Sequence, residues 1–432
     1  IIAEFNTKYP TSKHITWDAV SFSGIRKANM NSFGKAIIPT YNFDKANVIV
    51  SISADFLTNW LSPIEFASQY AQNRKVSKEK QEMSKHIQFE TILTVSGANA
   101  DMRQPIKPSE EGLVAVNLYN AVAKQMGMAT LPSSVSTYDE AITKVAAELA
   151  ANKGKSLVIA GSNDPAIQMV VNEINKALGN YNNVINIDKA CNLRQGNDED
   201  FANLVKEMKD GKVDVLITYN TNPAYTAPAA IGFKEAWAKV LCKVSLADRL
   251  DETASSADYV CPDHHYLESW GDSNPYEGVY SLTQPAIYPL FSKPRYEGTR
   301  SAAETFMKWA GMENADHYSY IVEHWKKDLL PAMGDEGGGY MFTELWNKTL
   351  QTGVYEKAAA ATEEIGTAHP REAEKEAHVE PVAEAGKMTL AEAASSIAST
   401  KGSGVEVVLY EKTGIGNGNQ ANNPWLHELP DP

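Results

Sequence analysis

Between residues 156 and 247 the chain repeats one phrase: a short β-branched run with no polar alternation, a turn, then an amphipathic helical stretch. The runs are SLVIA (156–160), NVINI (183–187), VDVLITY (213–219) and CKVSLA (242–247). A run like SLVIA is apolar on both faces, so it suits a strand covered from both sides, as in a parallel sheet. Between the runs, Ile167, Val170, Val171 and Ile174 recur at helical spacing, as do Phe201, Leu204, Val205 and Met208. Each set makes one apolar stripe. Asn163, Asp164 and Pro165 mark the start of the first of these helices, and Asp210-Gly211 marks a turn after the second. Phe233, Trp237 and Val240 predict one more helix before CKVSLA. Strands alternating with helices of this length predict βαβ units wound into a parallel sheet.

The same grammar begins earlier, at a Thr137/Glu140 capping box followed by Ile142, Val145, Ala146 and Leu149 on one face. We therefore expect one α/β lobe over residues 136–350. Residues 1–135 read as another, with a strand in ANVIVSISA (46–54), a helix after Pro63, a segment IQFETILTVSG (87–97) and a helix capped by Ser109 with Glu110 and Glu111 in its first turn. Residues 351–404 change character to Ala, Glu and Lys with few large apolar side chains, and read as a surface excursion or linker. Within them TLAEAASSIAS carries a Thr389/Glu392 capping box and predicts a short helix. VEVVLYE at 405–411 alternates like a half-buried strand and is expected to open a further domain over 405–432.

Charge and length exclude some functions. Forty Lys plus Arg against 54 Asp plus Glu give a net charge of −14, the wrong sign for neutralising nucleic-acid phosphates. No run approaches the 18 apolar residues of a membrane helix. The opening IIAEFNTKYP has neither an initiator Met nor a basic-then-apolar signal, and the closing NNPWLHELPDP stops on an unfinished loop, so both are expected of an internal piece of a longer polypeptide.

The stretch CPDHHYLESWGD (261–272) gathers Cys261, Asp263, His264, His265, Glu268 and Asp272, which include every ligand type that zinc or iron uses. Against a metal stands the cysteine pattern: Cys191, Cys242 and Cys261 form no CxxC pair, and an iron–sulfur cluster needs four thiolates. The bland reading gives Cys261 a place in the core, gives the histidines loop hydrogen bonds or an interdomain contact, and expects no metal. Gly154-Lys155-Ser156 is no phosphate loop, because it lacks the upstream glycine and precedes its strand. GIGNGN (414–419) reads as a hairpin turn. No GxSxG elbow exists.

Ligands of an open α/β sheet bind beyond the carboxyl ends of its strands. Three loops qualify by sequence: Asp55 to Trp60, Asn220 to Pro223, and CPDHHYLES after Ala257 to Val260. Asn and Asp in such loops cap the next helix or, several together, hold the base, ribose and phosphates of a nucleotide.

With NTNPAYTAP, KVSLADRLDETASSADYVCPDHHYLESWGD and GVYSLTQPAIYPLFSKPRYEGTRSAAETFMKWAG in this order, the chain resembles the molybdopterin oxidoreductase family. SFSGIRKANMNSFGKAIIPTYNFDKANVIVSISADFLTNWLSP, NADMRQPIKPSEEG and NQANNPWLHELPDP look nearest to one branch, the molybdopterin-like iron–sulfur subunit of bacterial alternative complex III. The likeness runs through nearly the whole chain except 353–403. It implies two doubly wound α/β lobes and, from residue 405, the start of a carboxyl-terminal β-barrel.

The branch also implies a molybdopterin fold retained as a scaffold, with no molybdenum cofactor and no catalytic residue in these residues. Iron–sulfur clusters of the 4Fe–4S and 3Fe–4S kinds are expected in the carboxyl-terminal part of the full-length polypeptide. Implied partners are a multi-haem cytochrome c subunit, integral membrane subunits that oxidise quinol, and a terminal oxidase, on the periplasmic face of the inner membrane. The alternative is a catalytic molybdenum oxidoreductase of the polysulfide or thiosulfate reductase type. There, Ser53, Asp55, Asn222, Pro223 and Asp258 would line a bis(guanine dinucleotide) site. Two departures favour the scaffold. Phe56 and Trp60 add bulk where glycines would let a phosphate approach, and no Ser, Cys or Asp matches the family's molybdenum ligand. A third reading is an α/β binding or assembly protein with no redox role.

Overall fold

A computed structural model describes residues 1–291, 298–332, 339–356, 388–400, 402, 404–418 and 420–430. In chain order the elements that position the site are β1 (Ile38–Tyr41), β2 (Val48–Ile52), α1 (Pro63–Arg74), β3 (Lys85–Glu90), β4 (Met102–Pro105), α2 (Glu111–Met126) and α3 (Asp139–Ala151). Then come β5 (Ser156–Ala160), α4 (Pro165–Ala177), β6 (Ile185–Cys191), α5 (Asp198–Lys209), β7 (Val215–Thr218), β8 (Cys242–Ser245) and β9 (Tyr259–Val260). The last are β10 (Gly271–Tyr276), β11 (Val279–Thr283), α6 (Ala302–Ala310), β12 (Val354–Glu356) and α7 (Leu390–Ser399).

The strands form three sheets. The first is parallel, in the order β4-β3-β2-β5. Its central strands are apolar on both faces, and the period of two sends alternate residues to opposite cores. Val48, Val50, Ile52 and Val158 join Val114, Leu118, Ile142 and Val170 from α2, α3 and α4. Ile49, Leu157 and Ile159 join Phe43, Phe56, Trp60 and Phe66 on the other side, where α1 lies. Each such fully buried side chain contributes about 1.5–3 kcal/mol, so the unalternating runs are what hold this sheet between two layers. Because β5 pairs with β2 over its whole length, the sheet draws strands from both sides of residue 135.

A second parallel sheet is β7-β8-β9. The third, β1-β6-β10-β11-β12, is antiparallel. NVINI, expected among the parallel strands, supplies the start of β6 and pairs with β1 instead, Tyr41 opposite Ile185 and Ile38 opposite Cys191. The reason lies just downstream: Asp188 and Lys189 follow in the same strand, and a strand carrying charges cannot be covered on both faces.

Local details also differ from expectation. The Thr137/Glu140 box does not form; Ser136 donates to Asp139 from its amide (3.2 Å) and hydroxyl (2.7 Å), and Glu140 turns outward to Lys144 at 2.8 Å. Ser109 does not cap its own helix, since its amide and hydroxyl both go to Glu406. Asp164 caps α4 as expected, accepting from the Ala166 amide, and Thr389 with Glu392 boxes the start of α7. Yet one face of α7 is packed inward: Ala393 and Ala394 are fully buried and Ile397 nearly so, with Ala393 and Ile397 in the core with α2 and α4, while the other face is exposed. Most of the 351–404 stretch, residues 357–387, lies outside the described residues.

Residues 405–411, expected as a strand, belong to no strand among the described residues, and Val405 and Leu409 are 91% and 93% exposed. No barrel closes among the described residues. GIGNGN makes the expected tight turn, with the Gly416 amide on the Lys412 carbonyl at 2.8 Å; its Asn419 lies outside the described residues.

Candidate ligand site

Beyond the carboxyl ends of β7, β8 and β9 lies a cavity of about 910 Å³. Three loops build it, and short polar side chains tie them together. Asn222, after β7, accepts the Thr253 amide and hydroxyl (3.1 and 2.7 Å) and donates to Glu252 at 2.7 Å, which fixes it against the loop after β8. Asp251 accepts the amides of Thr253 and Ala254 at 3.0 and 2.7 Å. Asp248 receives two parallel bonds from the Arg249 guanidinium (2.8 and 2.9 Å), and Arg249 also donates to Asn422 at 3.0 Å. That hydrogen bonding holds the Asp248 carboxyl below the usual range.

The CPDHHYLESWGD stretch forms the third loop and part of the far wall. Cys261 packs with Val244, Leu246, Phe306 and Trp309. Asp263 accepts the Ala302 amide at the start of α6 (2.6 Å) and the His264 amide (2.8 Å). Burial, with the Asp263 carboxylate beside it, pushes the Tyr219 hydroxyl up to about 12. His265 accepts the Leu267 amide at 3.3 Å, and Glu268 takes the amides of His265 and Leu290, both at 3.0 Å. Asp272 accepts the Trp325 indole N–H at 2.8 Å. Each of these polar side chains except His264 has its own local partner. Among the described residues no three His, Cys, Asp or Glu side chains converge as a metal site.

The charged side chains lining the cavity are Asp248, Asp251, Glu252, Asp263, Asp272 and one cation, Arg249. The cation is already engaged. His317, also in the lining, is driven below its ordinary pKa by burial. The cavity is therefore strongly negative at neutral pH.

The residues nominated from sequence fall in three places. Asn222 lines the cavity, with Pro223 buried beneath it as the first residue of a one-turn helix. Asp258 is at the opposite end of the sheet. It precedes β9, and its carboxylate takes the Lys243 amide (2.8 Å) and ammonium (3.0 Å) at the amino ends of the strands; the Lys243 bond lowers its pKa. Ser53 and Asp55 lie at the carboxyl end of the first sheet. Ser53 adopts φ 54°, in the left-handed region. Gly161 packs backbone to backbone on it, since a Cβ there would strike the Ser53 carbonyl, so the loops after β2 and β5 fill one another's space.

Asp55 accepts the Ser96 amide (3.1 Å) and hydroxyl (2.7 Å) and a bond from the Thr58 hydroxyl. It staples two rim loops. Phe56 and Trp60, 0% and 3% exposed, fill the space below. Burial raises the pKa of Glu111, whose carboxyl faces the Ser53 hydroxyl. Sequence reasoning passed over Asp248, Arg249 and Asp251, although they follow CKVSLA directly and the strand-end rule marks that loop.

Parallel sheets wrapped by helices, with a cavity beyond the strand ends, are the architecture that the resemblance to molybdopterin oxidoreductases implies. A curated relative agrees: the menaquinone reductase, molybdopterin-binding-like subunit of Nitratidesulfovibrio vulgaris (strain Hildenborough) is 26% identical over 299 residues, covering 59% of this chain and 42% of the relative. Among solved structures, acetylene hydratase from Pelobacter acetylenicus superposes with a TM-score of 0.51 at 11% identity, a likeness of fold that covers 78% of this chain and 55% of that one. No family model matches. The chain thus spans less than half of the curated relative and about half of the structural one.

Proposed function

We propose that this chain is the molybdopterin-like scaffold region of an electron-transfer subunit in a quinol-oxidising respiratory complex of the alternative complex III type, with no molybdenum cofactor of its own. The charge of the cavity carries the proposal. A guanine dinucleotide brings a pyrophosphate, and five carboxylates around one engaged guanidinium are the wrong surroundings for it. The first sheet's rim agrees, because Asp55 is held by Ser96 and Thr58 and the loops after β2 and β5 close on each other. The residues present do not fit such a cofactor.

In this reading the α/β layers hold the subunit's shape, and iron–sulfur clusters elsewhere in the polypeptide carry electrons from quinol toward a cytochrome c or an oxidase. Multi-haem cytochrome and membrane-embedded quinol-oxidising subunits are the partners, on the periplasmic face. The name of the curated relative supports a molybdopterin-like subunit of a quinone-linked complex; it names quinone reduction, the reverse of the direction proposed here. No helix among the described residues is long and apolar enough to cross a membrane, which agrees with a peripheral place.

The second reading, a catalytic molybdenum oxidoreductase, draws on one observation: a cavity of about 910 Å³ at the end of a parallel sheet is large enough for a nucleotide. Acid release of small molecules from the purified full-length complex separates the two. Absence of pterin fluorescence and of guanosine monophosphate supports the scaffold. One or two equivalents of each per polypeptide would establish the cofactor.

A further inference from the structure

The last part of the chain is seated where a ligand of the first sheet would enter. Ile397, near the end of α7, meets Gly112 and Ile167, in the first turns of α2 and α4. Those turns stand at the carboxyl ends of β4 and β5. A Cβ on Gly112 would lie 2.6 Å from Ile397 Cγ2, so the helix seats only because Gly112 has none. From there the chain crosses the rim. Glu406 accepts the amide and hydroxyl of Ser109, both at 2.9 Å, at the end of β4, and the Glu411 carbonyl accepts the Asn59 amide group at 2.9 Å, in the loop after β2.

The geometry is consistent with an extended crossing. β4 and β2 are two strand spacings apart, about 10 Å, and the five steps from 406 to 411 reach about 17 Å when extended. Between these anchors the chain must pass the carboxyl end of β3. After the turn at Lys412 and Gly416, Gly418 packs on the Tyr225 ring and Asn422 accepts from Arg249, both at the cavity of the second parallel sheet. One continuous segment therefore touches both sheet ends.

We infer that residues 390–400, 404–418 and 420–422 belong to a built-in strap, anchored by α7, that closes the ligand rim of the first sheet with Glu406 on Ser109 and reaches the second through Asn422 on Arg249. The inference goes beyond the proposed function, because a chain that bound a cofactor would use the same strap as its lid. Metal content and strap closure are separate readouts and fail separately.

The test is hydrogen exchange, read by mass spectrometry, on the full-length protein. In the wild type, the helical amides of 393–399 and the Ser109 amide, which donates to Glu406, should exchange at least about tenfold more slowly than in the free peptides. Gly112→Ala should abolish that protection and speed exchange at 94–97 and 109–111, while β2 and β5 stay protected. Glu406→Ala should speed exchange at the Ser109 amide with α7 still protected, so the idea does not rest on one variant. Wild-type exchange at 393–399 and Ser109 at free-peptide rates would overturn the inference. So would two variants that leave the rim amides unchanged.

Discussion

Arg249 and Asp248 are neighbours in sequence and clamp each other through two bonds of 2.8 and 2.9 Å, which turns the cavity's one cation onto its own carboxylate. A bidentate pair of this kind is strong and directional, so little of the guanidinium's field reaches the cavity. Asp248→Asn weakens the clamp and removes a negative charge. Titration calorimetry with guanosine diphosphate at low ionic strength should show wild-type binding no tighter than about 1 mM and variant binding at least about tenfold tighter than the wild type's. Micromolar binding by the wild type would contradict the electrostatic reading.

Glu90 is 1% exposed and is held by Arg103, by the Thr94 hydroxyl at 2.6 Å and by Gln88 at 3.3 Å. Removing one partner of a buried ion pair leaves the other uncompensated. Arg103→Ala should destabilise the fold by about 3 kcal/mol, somewhat less if water reaches the site past the partly exposed Arg103 position. Urea denaturation at neutral pH measures this. A loss below about 1 kcal/mol would mean that Thr94 and Gln88 suffice.

His86 is fully buried between the Tyr70 hydroxyl (3.2 Å) and Gln88 (3.1 Å), near the Arg74–Asp101 pair. Burial pushes its pKa down to about 4, opposed by the Gln88 bond. Above pH 6.5 neither folded nor unfolded histidine is protonated, and stability is complete. As pH falls from about 6.5 to about 4 only the unfolded chain takes up the proton, so about 3 kcal/mol is lost across that window and no more below it. Thermal unfolding followed between pH 7 and 4 should show that slope, and His86→Asn should flatten it. An unchanged slope in the variant would assign the pH dependence to other groups.

Much of the fold is legible from residues alone because the relevant forces are local. SLVIA and the stretch around Val48 are apolar on both faces, which only a covered strand satisfies, and Asp164-Pro165 starts α4 as its chemistry requires. What sequence does not carry is partnership at a distance. NVINI has a buried strand's composition, but Asp188 and Lys189 commit β6 to an antiparallel neighbour more than 140 residues away, at Ile38–Tyr41. Ser109 looks like a cap until Glu406, 297 residues on, takes both its donors. Asp258 is nominated through the resemblance, yet it precedes β9 and pairs with Lys243 at the amino end of the sheet, away from the cavity. The Ala-rich helix at 390–399 reads as surface because its small side chains bury little each; two of them, Ala393 and Ala394, are buried together with Ile397.

The scaffold assignment rests on the absence of a molybdenum cofactor from the whole polypeptide, and elemental analysis of the purified full-length complex tests it most directly. Iron in several equivalents with molybdenum and tungsten well below one per polypeptide is the expected result. Near-stoichiometric molybdenum or tungsten would contradict it and make the cavity beside Asn222 an active site.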